Sequence, residues 1–267
     1  MIFKQSPRLV IWESTQACDL ACPHCRPSAR SARDSRELTL QEGKELLDEI
    51  QGFGDPLMVF TGGDPLRRTD LFDLLRHSVS IGLRTTVAPA MTPLLTPHAI
   101  DAFHDSGVSR MTISLNGPDG AARESAPGMF DIAVRALRHA RSIGFETQLQ
   151  TIVTRRNIRH LAELGRIAAD VHTRMWNLVF LVVTGRAVEE DQLTVEEYEK
   201  AFAFLCDLSQ AAPLDIRSTA TMDYGDGTAN RPEGGNHERG FVMISSTGEI
   251  YPSVSDRSRR AMSGPTG

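Results

Sequence analysis

Cys18, Cys22 and Cys25 fall within eight residues, with three and then two residues between them, just after the apolar run Leu9-Val10-Ile11-Trp12. Three thiolates on one short loop can ligate three irons of a 4Fe–4S cube. The fourth iron is then left without a protein ligand, and an open iron in a reduced cluster is a place to bind and reduce a small molecule. The same thiolates can instead join His24 in a tetrahedral zinc site, although His24, wedged between Pro23 and Cys25, is cramped for closing on the same metal. The fourth cysteine, Cys206, stands in a helical stretch with Phe202, Phe204 and Leu205 and reads as a small apolar core residue. His77, His98, His104, His139, His160 and His172 lack partners at metal-ligand spacing and read as surface or capping residues. Arg155, Arg156 and Arg159 read as a solvated helix start in preference to an anion site.

The wider composition limits the classes open to this chain. Its 267 residues suit one barrel or doubly wound domain with a large core. A net charge of −5 argues against general nucleic-acid or anionic-membrane binding, which needs a basic face. No apolar run reaches the roughly 18 residues of a membrane span, and residues 1–7 lack the apolar core and cleavage site of a signal peptide. Crowded cysteines fit metal ligation in a reducing compartment better than a disulfide framework, so the expected location is cytoplasmic.

The elements that must position the cysteines follow from periodicity. Thr39, with Glu42 three residues later, forms a capping box ahead of Leu46, Leu47 and Ile50. Leu57-Met58-Val59-Phe60 reads as a strand buried on both faces. Further strands are expected over 83–88, 109–115, 146–153 and 176–183. Helices are expected from Leu71 to Val79 and over 97–106, 130–142, 157–169 and 194–209. Six strand–helix units in succession predict a parallel sheet with right-handed crossovers. Six units fall short of the eight of a closed barrel, which leaves an incomplete barrel or an open doubly wound sheet.

In either architecture ligands gather at the carboxyl ends of the strands. The cysteine loop, Thr61-Gly62-Gly63-Asp64-Pro65 and Asn116-Gly117-Pro118 all fall there. Gly62 to Pro65 alone is an ordinary turn; its place after a strand is what marks it. Beyond Ala211 the alternation stops. One more strand is expected over 214–220, a mobile loop over 223–239, a β-hairpin from 241–244 and 249–251, and a disordered tail over 253–267. This divides the chain into a barrel, 1–212, and a short extension, 213–267.

A CxxxCxxC loop after the first strand and a Gly-Gly-acid turn after the second resemble the radical S-adenosylmethionine (radical SAM) enzymes, over roughly residues 8–210. Trp12-Glu13-Ser14-Thr15, His24 and Arg26, the stretch 61–66 and Thr184-Gly185-Arg186 resemble the branch with heme-biosynthesis and peptide-maturing members, whose longer forms carry a SPASM extension. The resemblance implies a partial (β/α)6 TIM-like barrel with a short C-terminal β-hairpin extension. It also implies a 4Fe–4S cluster on Cys18, Cys22 and Cys25, shielded by the ring at position 24. S-adenosylmethionine would chelate the open iron and be cleaved reductively to a 5′-deoxyadenosyl radical that takes hydrogen from the substrate.

The same resemblance implies roles for other residues. The backbone around Gly62 and Gly63, with Asp64, is expected to receive the methionine ammonium, the glycines allowing close approach and the carboxylate a charge-assisted hydrogen bond. The family more often has Glu there. Ser114 and Asn116 are placed for the ribose or carboxylate, although Asp is commoner than Asn. Arg123 is placed for the methionine carboxylate, in a segment shorter than in relatives. Gln150, Thr151 and Asn157 are expected at the ribose, and Val182 and Val183 at the adenine.

No cysteine follows Cys206, so auxiliary clusters of the SPASM type find no ligands here. This points to a single-cluster enzyme or to a truncated relative. The expected function is radical chemistry on a small molecule: biosynthetic decarboxylation, rearrangement or oxidation of a sugar acid, nucleoside or tetrapyrrole. An external electron donor such as flavodoxin or ferredoxin would reduce the cluster. The alternatives are a peptide-modifying maturase, disfavoured because no peptide-recognition domain precedes Arg8, and a non-catalytic protein that binds a cluster or S-adenosylmethionine.

Overall fold

A computed structural model describes residues 7–25, 29–118, 128–183, 185–211, 214–218 and 241–251. The expectations for Arg26, Arg123 and Thr184, for the loop 223–239 and for the tail 253–267 concern residues outside these. Strands and helices alternate as β1 (Leu9–Glu13), α1 (Leu40–Gly52), β2 (Leu57–Thr61), α2 (Leu71–Ser80), β3 (Arg84–Val87), α3 (Pro97–Asp105), β4 (Arg110–Ser114), α4 (Met129–Ser142), β5 (Thr147–Val153), α5 (Leu161–Asp170), β6 (Met175–Phe180) and α6 (Val195–Ala211). Strands β7 (Asp215–Ser218), β8 (Phe241–Ile244) and β9 (Ile250–Tyr251) follow.

The described strands form one sheet in the order β7-β6-β5-β4-β3-β2-β1-β8-β9, with β7 and β9 at its ends. All neighbours are parallel except the antiparallel pair β8–β9. From β1 to β7 the order never reverses, so there is no switch point of the doubly wound kind. Right-handed crossovers that step steadily in one direction lay their helices on one face. The result is a partial barrel. The expected hairpin forms too, and its first strand docks in parallel beside β1, pairing Leu9 with Phe241 and Trp12 with Ile244.

Side chains alternate across this sheet with period two. Val10, Trp12, Met58 and Phe60 are buried under the helices with Leu47, Leu71, Leu74 and Leu75, and each such side chain contributes about 1.5–3 kcal/mol of burial. The opposite, concave face is more open. Leu57 and Val59 are only half-buried, so β2 is not covered on both sides as its apolar run suggests. In β5, half-buried Gln148, Gln150 and Ile152 alternate with buried Thr147, Leu149, Thr151 and Val153.

Local signals set most element boundaries. The Thr39 side chain accepts from the Glu42 N–H while the Glu42 carboxylate accepts from the Thr39 N–H at 2.8 Å. The helix expected to begin at Asn157 starts later: a single 3-10 turn, Ile158–His160, precedes α5. Among the described residues, no helix is long and apolar enough to cross a membrane.

Candidate active site

Backbone pairing places the cysteine loop. The Ser14 N–H donates to the Thr61 carbonyl (2.8 Å), the Gly63 N–H to Thr15 (2.7 Å) and the Asp64 N–H to Ala17 (2.7 Å). On the other side, the Cys18 N–H donates to the Arg30 carbonyl (2.7 Å) and the Arg30 N–H to Gln16 (2.9 Å). Residues 14–18 therefore run between the Gly-Gly turn and Arg30, with main-chain bonds on both flanks. Two buried charges reinforce the run. Glu37 accepts from the Thr15 hydroxyl (2.9 Å) and the Gln16 N–H (2.8 Å) while pairing with Arg33 (2.8 Å). Arg68 donates to the Ser14 carbonyl (2.8 Å) and makes a forked pair with Asp70 (2.9 and 2.7 Å). Both charges are paired and hydrogen-bonded, as buried charges must be. Neither is singled out by sequence reasoning.

The glycines serve this contact. A Cβ on Gly62 would lie 2.3 Å from the Thr15 carbonyl oxygen, and one on Gly63 would lie 2.4 Å from that of Ala17. Gly62 also has φ +150, a conformation that favours glycine. The close approach required of them is to the cysteine loop's own backbone. Asp64 is likewise turned into the protein. Its carboxylate accepts from the Leu66 N–H (3.1 Å), the Ala90 N–H (3.4 Å) and the Thr92 hydroxyl (2.6 Å). Burial pushes its carboxyl above the ordinary range, and these bonds oppose that rise. The side chain thus ties the Gly-Gly turn at the end of β2 to the segment that follows β3.

The donor set fits an iron–sulfur cluster. All three thiols are free; Cys18 is buried, Cys22 and Cys25 half-buried. Burial pushes the Cys18 thiol up to about 11; Asp64 and the two neighbouring thiols push the same way, against a backbone bond from Leu20. Cys22 is raised by burial and then by Cys25. Thiols that oppose one another's ionisation in a desolvated pocket become thiolates together beside the positive charge of a bound metal. The Leu20 and Ala29 N–H groups point at the Cys18 and Cys25 sulfurs (3.4 and 3.3 Å), as donors to cluster ligands do. Among the described residues no three His, Cys, Asp or Glu side chains converge on a single ion. His24 lies instead against Asp191, Nδ1 to Oδ2 3.8 Å.

Across the sheet, the residues expected around the ribose separate into two groups. Ser114, Gln150, Asn177 and Arg217 occupy one register row across β4 to β7, on the concave face. Ser114, Gln150 and Asn177 are half-buried there. Thr151 points the other way: its hydroxyl donates to the Leu115 carbonyl (2.7 Å) and accepts from Trp176 Nε1 (2.9 Å), both buried. Asn157 is fully buried, its amide nitrogen donating to the Asn116 and Ile152 carbonyls (2.8 and 2.7 Å) and its oxygen accepting from the Thr154 N–H (2.8 Å). Thr151 and Asn157 therefore hold strand ends together. Asn116 shares that task, its side chain accepting from the Ile152 N–H (2.8 Å). Val183, half-buried, follows β6, with Val182 exposed. Arg123 lies outside the described residues. Arg186 comes back to the cysteine loop, its N–H donating to the Cys25 carbonyl (3.2 Å) and its guanidinium to that of Ala29 (2.6 Å).

Comparison with known proteins agrees with this site. Residues 12–167 match the model of the Radical SAM superfamily, and the chain belongs to that superfamily. Its enzymes use a 4Fe–4S cluster with S-adenosylmethionine and act on small molecules or peptides. An AdoMet-dependent heme synthase of Oleidesulfovibrio alaskensis is 31% identical over 268 residues, covering 92% of this chain and 69% of the relative. A PqqA peptide cyclase of Rhodopseudomonas palustris is 27% identical over 266 residues, covering 92% and 67%. The crystal structure of Streptococcus suis SuiB bound to S-adenosylmethionine superposes with a TM-score of 0.78 at 16% identity, over 93% of this chain. The likeness to SuiB is one of fold, and this chain spans 60% of that protein's length.

Proposed function

We propose that Cys18, Cys22 and Cys25 hold the cluster and that the chain uses it to act on a small molecule. The observation that carries this reading is the loop itself. Three free thiols stand at the carboxyl end of a partial parallel barrel, fixed through the main chain to the Gly62-Gly63 turn. When bound, the cluster and S-adenosylmethionine supply a hydrogen-abstracting radical by reductive cleavage of the sulfonium. The protein's part is position and the exclusion of water. The backbone of Gly62 and Gly63 meets the methionine end, with Asp64 bracing the turn from behind. Ser114 and Gln150 offer hydrogen bonds from the concave face, Val183 borders the adenine, and Asn116 shapes the end of β4. Arg123 remains the proposed partner of the methionine carboxylate.

Among substrates, a tetrapyrrole is the first candidate, because the heme synthase of Oleidesulfovibrio alaskensis is 31% identical to this chain and the peptide cyclase of Rhodopseudomonas palustris 27%, each over 92% of it. A small acidic electron carrier such as flavodoxin or ferredoxin is the proposed reductant, and the free thiols suit a reducing cytoplasm. We take residues 1–212 as the barrel and 213–267 as its extension, whose hairpin covers the edge of β1. The test is anaerobic reconstitution with iron and sulfide, then reduction with S-adenosylmethionine present. Wild type is expected to release 5′-deoxyadenosine and a Cys22→Ala variant none; equal release from both refutes the assignment.

A further inference from the structure

Asp191 is a buried carboxylate that the proposed chemistry does not use. It ends a 3-10 turn, Glu189–Asp191, in the β6–α6 loop. Of three consecutive acids there, Glu189 and Glu190 face solvent and only Asp191 turns inward. A carboxylate is buried at a cost unless it is paired and hydrogen-bonded. Asp191 pairs with the Arg156 guanidinium on one side and lies 3.8 Å from His24 Nδ1 on the other, both its side chain and the His24 ring being almost fully buried. Its carbonyl accepts from the Arg155 N–H (2.9 Å). The segment after β5 and the β6–α6 loop thus converge on the ring between Cys22 and Cys25. Arg186 fastens the same loop to Cys25 and Ala29 independently.

We propose that Asp191 is a positioning residue that holds the His24 ring in place beside the cluster ligands and so couples the β6–α6 loop to the cluster. The inference rests on the reading of Cys18, Cys22 and Cys25 as cluster ligands. The charge and hydrogen bonding around a cluster set its potential. Neutralising Asp191 removes a negative charge one side chain away from the ligands, which favours the added electron and raises the potential. It also frees the ring, which alters the symmetry seen by the reduced cluster.

The experiment uses the full chain, reconstituted anaerobically, with electron paramagnetic resonance of the reduced cluster and a redox titration. Asp191→Asn is expected to raise the midpoint potential and change the g-values, and His24→Phe, which keeps a ring but loses the pairing, to change the g-values as well. Asp191→Glu is expected to restore the wild-type spectrum in part, and Glu190→Gln, on the exposed side of the same turn, to leave it unaltered. A variant Asp191→Asn with lowered thermal stability but wild-type spectrum and potential overturns the proposal, because a merely structural residue behaves that way. If Asp191→Asn does not fold, Asp191→Glu, which lengthens the same carboxylate, decides in its place: a wild-type spectrum and potential overturn the proposal and a displaced spectrum supports it. A wild-type protein that takes up no cluster refutes the ligand assignment and this inference with it, a result distinct from the first.

Discussion

The two sides of the candidate site are held by different means. Around β1 and β2, backbone meets backbone: the cysteine loop, the Gly-Gly turn and Arg30 are joined by main-chain hydrogen bonds, and glycine is needed because the chains run too close for a Cβ. At the ends of β4, β5 and β6, side chains do the joining. Asn157, Asn116 and Thr151 bind carbonyls and N–H groups of neighbouring strands and leave Ser114 and Gln150 to the concave face. In the proposed site the first arrangement would place a rigid inorganic group, and the second would leave Ser114, Gln150 and Asn177, the uncharged part of their register row, to an organic ligand. Substitutions should therefore fail differently on the two sides.

The largest effect is expected from Cys18→Ala, which removes the most buried thiolate. Iron retained after reconstitution should fall from about four per chain to background, read by metal analysis. Next comes Gly63→Ala, whose Cβ must displace backbone 2.4 Å away. Overpacking of this kind costs about 1–3 kcal/mol, and because the displaced backbone carries the cysteines, iron content should fall along with melting temperature. On the other side, Asn157→Ala strands two carbonyls and an N–H, and each buried group left unsatisfied costs about 1–3 kcal/mol. Calorimetry should show a clear loss of stability, at about 2–4 °C per kcal/mol for a chain of this size, while iron content stays at the wild-type level. The smallest structural effect belongs to Gln150→Leu. Stability should move by no more than about 0.5 kcal/mol, while affinity for S-adenosylmethionine weakens about fivefold, the worth of one hydrogen bond of about 1 kcal/mol. If Asn157→Ala loses its iron, or Gln150→Leu loses its stability, the division between the two sides is wrong.

These contrasts also show what the sequence carries openly. Apolar runs and caps place the six strand–helix units within a few residues, and three crowded cysteines announce their own chemistry. The alternation in Thr147-Gln148-Leu149-Gln150-Thr151 contains the information that Gln150 and Thr151 face opposite ways; assigning both to one ligand ignores it. Asn157 is harder, because its partners lie far apart in the chain, Asn116 just past β4 and Ile152 in β5, and its spacing reveals neither. Glu37 and Arg68 act at sequence separations of 22 and 54 residues, and only the folded chain brings them to the cysteine loop. The choice between an open doubly wound sheet and a partial barrel also needs strand order, which periodicity along one chain does not encode.

The central claim is that three thiolates leave one iron of four for S-adenosylmethionine. Mössbauer spectroscopy of the 57Fe-reconstituted protein tests it most directly. About four irons per chain should form a single cubane, and adding S-adenosylmethionine should shift the signal of one quarter of the iron and leave the rest in place. A spectrum in which all the iron behaves alike with and without S-adenosylmethionine would contradict the account.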